Sequence, residues 1–144
     1  MNFTIPSAVK GVAELLRERI TPEVGDNYMA NMARMATAVL TISANWEDDA
    51  AALRVAENAA IRAVLGECAG LTQGDLAARL DAATRSVDPG LRISELDGEN
   101  HRLRVLLVAA QSWLEMQDED AARAMDQRIW RLLEDIEMKR APRE

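Results

Sequence analysis

Residues 26–46 read DNYMANMARMATAVLTISANW. Tyr28, Met32, Met35, Val39, Ile42 and Trp46 recur there at steps of 4, 3, 4, 3 and 4. On a helix that turns about 100° per residue these six side chains share one narrow arc. A half-buried strand would instead alternate with period two, and this stretch does not. Met29, Ala33, Ala36 and Leu40 widen the apolar arc sideways, and Arg34 is the one charged residue between positions 27 and 45. A surface helix carries more charge than that, so the pattern predicts a helix at the centre of a bundle.

The flanks extend the helical reading. Upstream, Pro6 suits the first turn of a helix, and Val9, Val12, Ala13, Leu16 and Ile20 form its apolar stripe until Thr21 and Pro22 interrupt it. Downstream, Glu47, Asp48 and Asp49 are acidic residues of the kind that favour a helix start. They predict a separate third helix to about residue 65, with Leu53, Ala56, Ala60, Ile61 and Val64 inward and Gly66 and Gly70 at its end. The run Thr72, Gln73, Gly74, Asp75 resembles a capping box. It opens a short helix with Leu76, Leu80, Ala83 and Val87 inside, closed by the turn signal Asp88, Pro89, Gly90.

The last third has the pattern of a helical hairpin. Leu96, Asn100, Leu103, Leu107, Ala110 and Leu114 follow heptad spacing, with Asn100 as a polar residue on the seam that can fix register. Asp118, Glu119 and Asp120 start the final helix, whose stripe is Ala122, Met125, Ile129, Leu132, Leu133 and Ile136. A short connection makes the two helices antiparallel. The fold expected is therefore all-α: one domain over residues 1–144, a bundle of about four long helices and two short ones.

Composition agrees. Apolar residues make up 49% of the 144 and aromatic ones 3%, and much of the apolar content is alanine, the best helix former. The 24 acidic and 17 basic side chains give a formal charge of -7. That balance opposes binding to nucleic acid or to an anionic membrane, both of which call for basic clusters. Lys139, Arg140 and Arg143, the densest basic run, suit the negative end of a terminal helix. The single cysteine, Cys68, excludes an intramolecular disulfide. No apolar run approaches the roughly 18 residues of a membrane helix, and the first residues lack the pattern of a signal peptide. A cytoplasmic location is the expectation.

Catalytic signatures are weak. His101 is the only histidine, and Glu99, two residues before it, does not share its helix face, so no metal site is expected. Cys68 has no local motif that supplies a base, and a free cysteine is most often a small buried apolar residue. No glycine motif cradles a phosphate, and no cofactor is implied.

Two surfaces stand above this background. Asn27, Asn31, Arg34, Thr41 and Asn45 share one flank of the second helix, with Ala38 between them. The flank is polar but almost uncharged, and an arginine among amides can hold a carboxylate or phosphate bidentately. Arg34, Asn27 and Asn31 are thus ligand-binding candidates, against the plainer reading in which Arg34 pairs with an acidic neighbour. The second surface is apolar. Val105 and Val108 point away from the Leu103 seam, and Trp113 and Trp130 sit off the main stripes of their helices. These four are candidates for a homodimer interface.

The segments ITPEVGDNYMANMARMATAVLTISANWE (20–47), AALRVAENAAIRAVLGE (51–67) and GDLAARL (74–80) resemble an uncharacterised bacterial helical family encoded near acyl-CoA dehydrogenase-like and aminoglycoside-phosphotransferase-like genes. Arg34 matches a recurrent arginine of that family, whereas Trp46 and Glu47 stand where an Arg-Glu pair is expected. The resemblance implies an accessory protein. The leading expectation is protein–protein interaction, as a homodimer or beside an enzyme partner. The other reading is a binder of a small anion, or an enzyme, with its pocket around Arg34.

Overall fold

The computed structural model describes residues 4–141. Five α-helices make up most of it: α1 (Ile5–Leu15), α2 (Asn27–Ala69), α3 (Gly74–Thr84), α4 (Ile93–Leu114) and α5 (Asp120–Arg140). No strand occurs among the described residues. The chain is all-α, as the periodicity requires.

Contacts group the chain into two units, one running up to Ala50 and the other Ala51–Ala141, and α2 runs through both. That continuity differs from the two helices expected around Trp46. The acidic triplet after it could start a helix, but nothing ends the one already under way. No glycine or proline occurs from residue 27 to residue 65, and alanine, leucine, glutamate and arginine dominate the continuation.

In the first unit, Thr4 caps α1 by accepting a hydrogen bond from the Ser7 amide at 3.3 Å, and Pro6 lies in the opening turn. The helix continues as a single π turn, Leu16–Ile20, and then a 3₁₀ turn, Thr21–Glu23. The Thr21 amide and hydroxyl both donate to the carbonyl of Leu16, the first residue of the π turn, the hydroxyl at 2.7 Å. Asp26 caps α2, its carboxylate accepting from the Met29 amide at 2.8 Å.

In the second unit, the latter part of α2 packs with α3, α4 and α5. Ile61, Val64, Leu65 and Cys68 of α2 meet Leu80 and Ala83 of α3, Leu103, Leu107, Ala110 and Leu114 of α4, and Met125, Ile129, Leu132 and Ile136 of α5 in one core. Arg140 reaches Glu57 while Arg128 reaches Glu67, so α5 runs antiparallel to α2. Gln111 near the end of α4 donates to Asp126 near the start of α5, consistent with the antiparallel hairpin.

Three local expectations in this unit are corrected. Gly66 lies inside α2 rather than at its end; a β-carbon there would sit 3.3 Å from the Thr84 side chain, so glycine fits a close approach of α2 and α3. The capping box does not form, because Thr72 donates back to the Ala69 carbonyl and Gln73 is the cap residue without a side-chain bond. The chain enters α3 instead through Gly74 at φ +64°, a left-handed conformation that glycine adopts without a Cβ clash. Val87 and Ala56 are exposed rather than inward.

Candidate functional site

The first unit buries the opposite face of α2 from the one its sequence marks as core. Ala30, Thr37 and Ala44 are buried. They lie seven residues apart, on an arc about 180° from the apolar stripe at roughly 100° per residue. The stripe itself is open. Tyr28 is 70% exposed, Met35 65%, Val39 62% and Trp46 50%, and Met29, Met32 and Ile42 are exposed as well. The central position expected for this helix is therefore corrected. Small side chains form its inner face, where they allow close helix packing, and the large apolar side chains face outward. On α1, Ile5, Val12 and Leu15 are exposed too.

On the flank between those two faces lies a cleft of about 570 Å³. It is lined by Arg17 and Thr21 from the turns after α1, and by Arg34, Thr37, Ala38, Thr41, Ile42 and Asn45 from α2. The polar flank read from the sequence thus lines a cavity through Arg34, Ala38, Thr41 and Asn45. Asn31 contributes at one remove: its side-chain oxygen accepts from an Arg34 terminal nitrogen at 2.7 Å. Asn27 is exposed and does not line the cleft. The acidic neighbour envisaged for Arg34 is not there; neither Arg34 nor Arg17 makes an ion pair among the described residues. The hydroxyls of Thr37 and Thr41 donate to the carbonyls of Ala33 and Thr37, which leaves them as acceptors toward the cleft.

The second unit holds its charges differently. Glu57 is 6% exposed and accepts from three arginines, Arg54 at 2.7 Å, Arg104 at 2.7 Å and Arg140 at 2.8 Å. The Asn100 amide adds a bond at 2.8 Å to Glu57 and another at 2.9 Å to the buried Asn58. Asn58 donates in turn to Asp88 and to the Leu96 carbonyl. Burial pushes the Glu57 carboxyl up, but the bonds from Arg104, Arg140 and Asn100 outweigh it and hold the group at about 2. A carboxylate so saturated with guanidinium donors is a poor general base. It joins α2, α4 and α5 as a structural hub. A second cluster ties Glu99 to Arg102, Arg62 and Ser86, and the bonds from Arg102 lead in holding Glu99 at about 2 despite its burial.

His101 is exposed and lines a separate cleft of about 620 Å³ with Arg79, Ser86, Arg102 and Val105. Cys68 is fully buried, and burial with the neighbouring Glu67 raises its thiol to about 11. That is the behaviour of a packing residue rather than a nucleophile. Among the four interface candidates, Val105, Val108 and Trp130 are 50%, 63% and 54% exposed, whereas Trp113 packs against the core.

Sequence reasoning missed Arg17 and the Glu57 hub. Arg17 carries no local signal, since a lone arginine late in an amphipathic helix is ordinary surface. The partners of Glu57 lie up to 83 residues away in the chain.

No family model, curated protein or solved structure matches this chain. Among the described residues no helix is long and apolar enough to cross a membrane.

Proposed function

We propose that this chain is an interaction protein that self-associates through the apolar face of its first unit. One observation carries the reading: a heptad-spaced stripe of Tyr, Met, Val, Ile and Trp stands exposed on α2. At about 150–250 Å² for a large side chain, the exposed fractions amount to on the order of 700 Å². That exceeds the roughly 300–600 Å² of the largest apolar patch on an ordinary monomer and approaches the roughly 800 Å² that each partner contributes to a standard interface. A second copy is the occupant that fits best. The overall charge of -7 makes copies repel, but from position 27 to 45 the helix carries Arg34 alone. Two such faces can meet about a two-fold axis without setting acid against acid.

Sedimentation of the full chain across micromolar concentrations tests this. A dimer that Met35→Glu converts to a folded helical monomer supports the reading. A species of 15.9 kDa at every concentration overturns it. Val105 and Val108 on α4 and Trp130 on α5 are the competing candidates, with less exposed apolar area between them. Dissociation by Val108→Glu but not by Met35→Glu moves the interface to the second unit.

A further inference from the structure

The cleft of the first unit carries a second inference, independent of self-association. Arginines line this cleft, the His101 cleft and a small cavity beside α5, but their partners differ. At the His101 cleft, Arg79 pairs with Asp75 and Arg102 with Glu99. At the small cavity beside α5, Arg140 pairs with Glu57. In the first-unit cleft, Arg17 and Arg34 have no carboxylate partner among the described residues, and no acidic residue lines the walls. The fold brings these two cations to one cavity from separate segments, α2 and the π turn, a one-turn irregularity frequent at functional sites. In a chain of net charge -7, two guanidinium groups on one cleft without a counter-charge are the inverse of the arrangement at Glu57 and Glu99 in the second unit.

We propose that this cleft binds the dianionic head of a phosphate monoester, with the organic part of the ligand against Ala38 and Ile42. Two guanidiniums match two negative charges. Arg34 spends one donor on Asn31, which fixes its plane and leaves its remaining N–H groups for phosphate oxygens. The Asn45 amide can add a neutral donor. The threonine hydroxyls give their protons to helix carbonyls, so they suit hydroxyl groups of the ligand better than its anionic oxygens. A free inorganic anion would leave the Ala38 and Ile42 side of the cavity unfilled, which is why an ester is the better occupant.

Calorimetric titration of the full chain with phenyl phosphate, and separately with inorganic phosphate, tests the proposal. Saturable binding of phenyl phosphate is expected, weakened about tenfold or more by Arg17→Gln and by Arg34→Gln, as for loss of a charge-assisted hydrogen bond. Arg34→Lys keeps the charge but not the fork and should fall between. Arg79→Gln, in the other cleft, should leave binding unchanged. Inorganic phosphate should bind more weakly than the ester. Absence of saturable binding in the millimolar range overturns the proposal, as does unchanged affinity in both glutamine variants. Equal affinity for the two ligands shows an adventitious ion only and overturns it as well. Arg34 lies about 120° around α2 from the stripe, so sedimentation of the same variants should show self-association unaltered. Failure of one inference is thereby distinguishable from failure of the other.

Discussion

Glu57 concentrates more of the second unit's electrostatics than any other residue described. Its two oxygens bridge three helices through Arg54, Arg104, Arg140 and Asn100. Glu57→Gln removes the charge and keeps the shape, which leaves those guanidiniums without their common counter-charge and turns a donor toward them in place of one acceptor oxygen. Breaking a fully buried ion pair on one side costs about 3–5 kcal/mol; Arg54, Arg104 and Arg140 keep part of their solvent contact, so urea unfolding should show a loss below that range. Glu67→Gln is the control. Its pairing with Arg128 is exposed on both sides, and exposed pairs contribute about 0–1 kcal/mol. The pH dependence has a definite sign. Glu57 and Glu99 sit at about 2 in the folded chain against an ordinary value of 4.5. Between those values the unfolded chain binds more protons, so stability rises with pH. The contribution is complete above 4.5 and should be lost progressively as acid unfolding is followed down to about 2. In Glu57→Gln, unfolding midpoints measured across this window should change less steeply with pH than in the parent.

The helices divide by how much of each was legible in the sequence. The stripes of α4 and α5 are buried as read, since each helix finds its cover within the same unit: Leu103, Leu107, Ala110 and Leu114 meet Met125, Ile129, Leu132 and Ile136. On α2 the same periodicity grouped the right residues and assigned them the wrong environment. Spacing shows which side chains share a face; it does not show whether the chain itself covers that face. The buried seam Ala30, Thr37, Ala44 was not legible, because small residues rank low in any reading by apolar size. It has a mutational signature. Ala44→Leu places a large side chain in a buried position and should lower the melting temperature, since overpacking costs about 1–3 kcal/mol. Met35→Glu, on the exposed stripe, should leave the melting temperature of the monomer almost unchanged. At the entry to α3, Gly74→Ala forces a side chain into left-handed backbone and should destabilise by about 1 kcal/mol or more in thermal unfolding. Of the candidate cleft, Arg34, Thr41 and Asn45 were legible as a polar flank of low charge. Arg17 was not, because a helix break and a π turn bring it there, and neither leaves a local pattern in the residue types.

At the scale of the whole molecule, the two units solve the problem of charge in opposite ways. The second gathers Arg54, Arg62, Arg102, Arg104 and Arg140 around Glu57 and Glu99. The first leaves Arg17 and Arg34 without a carboxylate partner among the described residues and turns its large apolar side chains outward. High salt should therefore discriminate between the two proposed interactions. It screens exposed charge over a Debye length of about 3 Å at 1 M, so phosphate-ester binding should weaken while self-association through the apolar stripe holds or strengthens, as titration and sedimentation at matched salt would show. The buried thiol offers a clock for the other unit. Cys68 has no exposed surface and a thiol held at about 11, so a thiol reagent at neutral pH can modify it only during excursions in which the α2, α3, α4 and α5 core opens. When reclosing outpaces modification, the rate of labelling measures the population of that open form. The single native thiol thus times the breathing of the second unit, with no cysteine having to be engineered.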